Sequence, residues 1–292
     1  MGFFCGGQHM SEDTGTEHIS KKVVVYRIHG MEDVKVQRDV EYSRGDACAL
    51  TMDIYYPPDS ESGARIPAVV VVAGYPDPGF EASVGCKLKE MGSSISWGRL
   101  MAASGVAAIT YTNREPAEDV QALLQYIRRN AERLGIDRNR IGLWACSGNV
   151  PLALSVLMQE ESAYLKCAVL CYGLMLDMDG STHVADAARM WGFANPCEGK
   201  SVADLPQDLP LFIARAGQDQ MPHLNETIDR FIARALARNL PLTFMNHPEA
   251  PHAFELFHDS ETSRELVRRI LAFMRFHLLR APTGSWSGND SF

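Results

Sequence analysis

Short, unbroken apolar runs constrain this chain more than any other feature. Ala68-Val69-Val70-Val71-Val72-Ala73 has no polar position, and Val106 to Tyr111, Ile141 to Cys146, Cys167 to Tyr172 and Leu209 to Ala214 repeat the pattern. A strand without a polar face must be buried on both sides, which places it inside a parallel sheet. Leu242 to His247 reads as one more strand, and helical periods fill the gaps. Pro116 to Leu134 puts Val120, Leu123, Leu124 and Ile127 on one face, with Gly135 as the expected C-cap. Leu224 to Arg238 groups Ile228, Phe231, Ile232 and Leu236, and Ser263 to Leu279 is a long terminal amphipathic helix. Strand–helix alternation of this kind implies an α/β fold with a mostly parallel central sheet and helices on both faces.

Ahead of these runs, Val23 to Arg27, Val34 to Tyr42 and Ala49 to Tyr56 read as strands. The last carries Leu50, Met52 and Ile54 in strict alternation. Residues 1–20 are polar and aperiodic and are expected to be a flexible tail, leaving 21–292 as one domain. With 292 residues, 46% of them hydrophobic, the chain can bury one large core. The stretch 174–207 interrupts the rhythm between two strands and contains Met175, Met178, Met190, Trp191 and Phe193. Insertions of that length are commonly functional. A small cap over a site is expected there, with Trp191 and Phe193 lining a substrate pocket; a peripheral helix packed by the same residues is the alternative.

The net charge of −8, with scattered basic residues, argues against a nucleic-acid partner. Seven cysteines (5, 48, 86, 146, 167, 171 and 197) show no C-x-x-C pair and no framework spacing, so neither a zinc nor a redox motif is expected. Several lie in apolar stretches, as a free thiol acting as a small hydrophobe would. Met1 to Met10 has neither a basic n-region nor a long apolar core, position 6 is Gly6 rather than Ser or Thr, and no stretch would span a bilayer. A cytoplasmic protein without a membrane partner is expected.

Ser147 stands between the strand ending at Cys146 and Gly148-Asn149-Val150-Pro151-Leu152-Ala153-Leu154, which reads as the opening of a helix. A serine on such a turn has the geometry of a nucleophile elbow, with a helix N-terminus beneath a developing oxyanion. The strained turn needs small residues two before and two after the serine, here Ala145 and Asn149, where G-x-S-x-G has glycines. Asparagine is expected there for its tolerance of positive φ. The bland reading is a helix N-cap.

A serine hydroxyl needs a base, and the base an orienting acid, and in open α/β sheets functional residues follow the C-terminal ends of strands. Asp219 follows the strand ending near Ala214, with Asp177, Asp179 and Asp229 as rivals. His252 lies in the loop after the next strand, with His247 as its rival. Gly148 offers one main-chain donor for an oxyanion hole. Because Pro76 has no N–H, Tyr75 is the best second donor in the loop Gly74-Tyr75-Pro76-Asp77-Pro78-Gly79.

Residues 140–148, Arg215-Ala216-Gly217-Gln218-Asp219 and Pro251-His252-Ala253-Phe254 together resemble the α/β-hydrolase superfamily, nearest its dienelactone hydrolase-like serine esterases. The segment Glu41 to Pro57 resembles the opening hairpin of such enzymes, and the likeness spans roughly 33 to 280. The order Ser147, Asp219, His252 is that superfamily's order. The resemblance implies a carboxylesterase acting on a small-molecule ester, without cofactor or metal; a homodimer is compatible with it. Dienelactone hydrolases proper use a cysteine, and Cys146 adjoins Ser147. In the Cys146 frame, however, the position two before the nucleophile would be the bulky Trp144. A non-hydrolytic binding module on the same fold, and lactonase chemistry, are the competing functions.

Overall fold

The computed structural model describes residues 17–44, 49–60, 63, 65–159 and 162–279. Strands β1 (Lys35–Arg44) and β2 (Ala49–Tyr56) pair antiparallel, and β2 then lies antiparallel to β4. The apolar runs supply the rest: β3 (Ile66–Val71), β4 (Ala107–Tyr111), β5 (Ile136–Cys146), β6 (Leu165–Cys171), β7 (Leu211–Ala216) and β8 (Leu242–His247). These six are parallel, and the sheet runs β1-β2-β4-β3-β5-β6-β7-β8. Val69, Val70, Ile109, Leu143, Val169 and Ile213 are wholly shielded from solvent. That is the burial an unbroken apolar run requires.

The helices are α1 (Asp77–Val84), α2 (Gly92–Ala103), α3 (Pro116–Arg129), α4 (Val150–Leu157), α5 (His183–Trp191), α6 (Leu224–Ala237), α7 (Phe254–Phe257) and α8 (Glu261–Leu279). Both α2 and α8 pack on β3, and the Trp97 ring of α2 meets Trp144 of β5 at 4.8 Å between centroids. The apolar stripe of α3 lies on β1 and β5, and α4 on β5 and β6. Among the described residues no helix is long and apolar enough to cross a membrane.

Four details differ from the sequence reading. Val23 to Arg27 is not a strand. It is an irregular segment with a bend at Val25, held by the Val25 N–H on the Glu255 carbonyl (2.8 Å) and the Val24 N–H on Ser96 Oγ (3.2 Å). The α3 helix ends at Arg129 with Asn130 as its C-cap, and Gly135 instead takes φ 62° in the turn that feeds β5. The tail reading of 1–20 falls largely outside the described residues, but Ile19–Lys21 forms a 3-10 turn. Lastly, β2 departs from strict alternation. Asp53 and Tyr55 are also buried, because Asp53 pairs with Lys89 Nζ at 2.9 Å and Tyr55 lies beneath α2. Helix α2 escaped the reading because Ser93, Ser94, Ser96 and two glycines mask its apolar stripe.

Candidate active site

Three strand ends meet at one edge of the sheet. β5 stops at Cys146, and Ser147 turns the chain at φ 54° into a short 3-10 turn that leads to α4. A non-glycine residue in that region costs about 1–2 kcal/mol. The strain has a local counterweight in Asn149, whose Nδ2 donates to the Cys146 carbonyl at 3.0 Å. β7 ends at Ala216 and delivers Asp219, and β8 ends at His247 and delivers His252. The two loops are laced together by Gly217 N–H on the His247 carbonyl and Gln218 N–H on the Ala250 carbonyl, both 2.8 Å.

The result is a hydrogen-bonded chain of three side chains. His252 Nε2 lies 3.0 Å from Ser147 Oγ, and His252 Nδ1 lies 2.6 Å from Asp219 Oδ2. A carboxylate oxygen can only accept, so Nδ1 carries the proton and Nε2 faces the serine as an acceptor. The Asp219 side chain is fully buried, and its other oxygen accepts the Met221 N–H at 2.9 Å. The carboxylate is therefore held on both oxygens.

The rival residues have other partners. Asp177 accepts the N–H groups of Val184 and Ala185, both at 2.9 Å, and so caps α5. Asp179 pairs with Arg234 and Asp229 with Arg215. His247 is buried, with Nε2 3.1 Å from Ser263 Oγ, and desolvation lowers its pKa. Burial pushes the Cys146 thiol up to about 12, which removes the thiolate that a cysteine nucleophile needs.

On the side where an oxyanion hole is expected, the Gly74 N–H donates to Asn149 Oδ1 at 2.7 Å. Among the described residues the Tyr75 main-chain N–H has no protein acceptor. Gly148 opens the helical turn, where main-chain N–H groups lack intrahelical partners. A side chain on Gly74 would sit 3.0 Å from Asn149 Cα, so loop and elbow touch backbone to backbone. Asn113 braces the same loop, donating from Nδ2 to the Ala73 carbonyl at 3.1 Å and from its N–H to Asp77 at 3.0 Å. The expectation that Asn149 serves by tolerating positive φ is corrected: its φ is −82°, and Ser147 carries the positive value. Asparagine is present for its two hydrogen bonds.

The insertion reaches this point. Phe193 is buried, 5.8 Å edge-on from the Tyr75 ring, and the Ala194 N–H donates to the Gly74 carbonyl at 2.8 Å. A Cβ on Gly148 would lie 2.7 Å from the Phe193 ring and would collide with the Tyr75 hydroxyl. Burial raises the pKa of that hydroxyl. Trp191 is half-buried against the core.

Sequence reasoning missed the platform behind His252. The Tyr172 ring meets His252 edge-on at 4.9 Å, and its hydroxyl donates to buried Glu255, which also receives Trp97 Nε1 at 3.5 Å. Burial pushes the Glu255 carboxyl up. The available signal was one acid in the apolar run Ala253-Phe254-Glu255-Leu256-Phe257.

No protein-family model matches the chain, and no curated protein matches it. Solved structures do. Esterase 2 of Thermogutta terrifontis superposes with a TM-score of 0.61 at 18% identity, over 86% of this chain and 97% of that one. LAE6, an α/β hydrolase from the metagenome of Lake Arreo, gives 0.65 at 19%, over 86% and 87%. EstE1, a thermophilic carboxylesterase from a metagenomic library, gives 0.61 at 17%, over 85% and 90%. The fold is the α/β-hydrolase fold.

Proposed function

We propose that this protein is a serine carboxylesterase for small to medium carboxylic esters. The observation that carries the reading is the continuous contact Ser147–His252–Asp219, at 3.0 and 2.6 Å, between residues far apart in sequence. His252 Nε2 takes the Ser147 proton as Oγ bonds to the ester carbonyl carbon. The negative charge moves to the carbonyl oxygen, where the N–H groups of Gly148 and Tyr75 stabilise it, with the Tyr75 hydroxyl beside them. Collapse breaks the carbon–oxygen bond to the alcohol, which leaves with the proton from His252. Water then repeats the sequence on the acyl-enzyme, and Asp219 holds the ring's tautomer and orientation throughout. No step calls for a cofactor.

Substrate size follows from 174–207 acting as a cap. Phe193 packed on Tyr75 and Gly148 favours a compact acyl or alcohol group, and the Thermogutta esterase has been solved with propionate and with butyrate bound. The Pro251–Phe254 block supports a dienelactone hydrolase-like subgroup, and free thiols at Cys167, Cys171 and Cys197 suit a reducing cytoplasm. The test is turnover of p-nitrophenyl esters together with labelling by paraoxon, a reagent that phosphorylates the Thermogutta enzyme. An active, labelled protein whose Ser147→Ala variant is inert and unlabelled upholds the proposal. A folded protein that binds esters without turning them over makes it a binding module.

A further inference from the structure

We infer that His183, His223 and Glu226 form a divalent transition-metal site, best suited to zinc, that ties the insertion to the core. His183 is the first residue of α5, whereas His223 precedes α6 and Glu226 lies in its first turn. His223 Nδ1 is 2.9 Å from Glu226 Oε2, His183 Nδ1 is 3.9 Å from the same oxygen, and one ligand atom from each residue falls within 4.8 Å of the others. Zinc binds such atoms at about 2.0–2.2 Å in a tetrahedron, so its ligand atoms stand roughly 3.4 Å apart. The three groups therefore bracket the required spacing.

A second observation points the same way. His183 Nδ1 is buried and makes no hydrogen bond, although it faces the Glu226 carboxylate. A buried polar atom without a partner is costly, and a metal ion would satisfy it. The two imidazoles stack at 3.6 Å between centroids and 14° between planes. In-plane coordination therefore requires the rings to splay, and His223 is half exposed, which leaves it room. His223 also holds a left-handed backbone at φ 61°, a conformation whose cost needs a compensating interaction.

Glu226 Oε1 is held by Arg230 at 2.6 Å, which leaves Oε2 for the metal. Two imidazoles and one carboxylate form a nitrogen–oxygen donor set that zinc accepts, with a fourth position open to water. Neither local spacing nor any cysteine pattern reveals it, because His183 is forty residues from His223. Asp219 is four residues before His223, and Phe193 is two residues past the end of α5. A metal here would fasten the segment over Gly148 to the loop that carries the acid.

The experiment is isothermal titration of the full chain with zinc chloride after chelator treatment, alongside thermal unfolding with and without zinc. The expected result is one zinc per chain and a raised Tm. Affinity should fall by about 100-fold or more in His183→Ala, beyond the 10–100-fold that follows loss of a supporting group. Glu226→Gln, which keeps the side chain's shape and a neutral oxygen, should weaken binding while its zinc-free Tm reports that the fold is intact. No binding at 1:1 stoichiometry, or binding unchanged in both variants, overturns the site. The result is independent of esterase activity, because binding is read by heat and Tm alone.

Discussion

Asn149 fastens the elbow to the loop that faces it: its Oδ1 accepts the Gly74 N–H at 2.7 Å while its Nδ2 holds the Cys146 carbonyl at 3.0 Å. One side chain thus sets the distance between the two halves of the proposed oxyanion hole and supports the strained Ser147. It stands where the G-x-S-x-G pattern has its second glycine, and it supplies hydrogen bonds that a glycine could not.

Asn149→Gly, which restores only the second glycine of that pattern, should therefore harm the protein. The buried Gly74 N–H and the part-buried Cys146 carbonyl lose their partners, for a destabilisation of about 1–3 kcal/mol at the buried group and less at the other. Urea unfolding should show the loss, and steady-state kinetics should show kcat falling more than KM rises. A variant as stable and active as the parent would mean that water replaces the side chain.

The nucleophile is tested by a pair of variants. Ser147→Ala should lower kcat by about 10⁴-fold or more, the range seen when a triad member is removed. Cys146→Ala should retain most activity, since burial holds that thiol up at about 12. The reverse ranking would move the reaction to sulfur.

Among the carboxylates, Asp219→Asn should cost about 10³–10⁴-fold in kcat by releasing the imidazole's orientation. Asp177→Asn should loosen α5, and Asp179→Asn should break an exposed ion pair with Arg234, both with kcat within a few-fold of the parent. Larger losses at Asp177 or Asp179 would reassign the acid.

Asp77 gives a pH dependence with a definite sign. Desolvation raises its carboxyl from 3.8 to about 6, so folding takes up a proton between those values. Stability from this group is complete below pH 3.8, falls as pH rises to about 6, and is flat above. A shift of that size corresponds to on the order of 3 kcal/mol. Asp77→Asn should remove the slope, so the Tm difference between variant and parent should grow from pH 4 to pH 7. A difference that is constant across that interval would show that the carboxyl titrates normally.

Phe193→Ala should enlarge the space above Gly148 and move the preferred p-nitrophenyl ester, expected between acetate and hexanoate, toward longer acyl chains without abolishing turnover. Each added methylene gains up to about 0.8 kcal/mol while the pocket lasts. Trp191→Ala, whose ring is half-buried against the core, should shift the optimum less. An unchanged chain-length profile in Phe193→Ala would make the segment a peripheral helix.

Much of this arrangement was legible in the chain. Unbroken apolar runs such as Ala68–Ala73 have only one stable environment, the inside of a covered sheet. Asp219 and His252 could be singled out because each follows a strand end, and the bulk of Trp144 favoured the Ser147 frame over Cys146. Where the reading failed, local pattern lacked the deciding partner. Val23–Arg27 looks like a strand, but no neighbour offers it a ladder, and Glu255 and Ser96 take its N–H groups instead.

The sequence by itself determined the class of the sheet, the turn at Ser147 and the order of the residues that meet there. Those depend on side-chain periodicity and on what a strand end exposes, and both are local properties. Only the tertiary structure decided that Asn149 would hold Gly74, that Phe193 would cover Gly148, that Asp177 would cap α5, and that His183 would lie against His223. Each of these joins segments with no periodic relation along the chain. What selects them is the need of each main-chain and buried polar group for a partner once the sheet has closed around it.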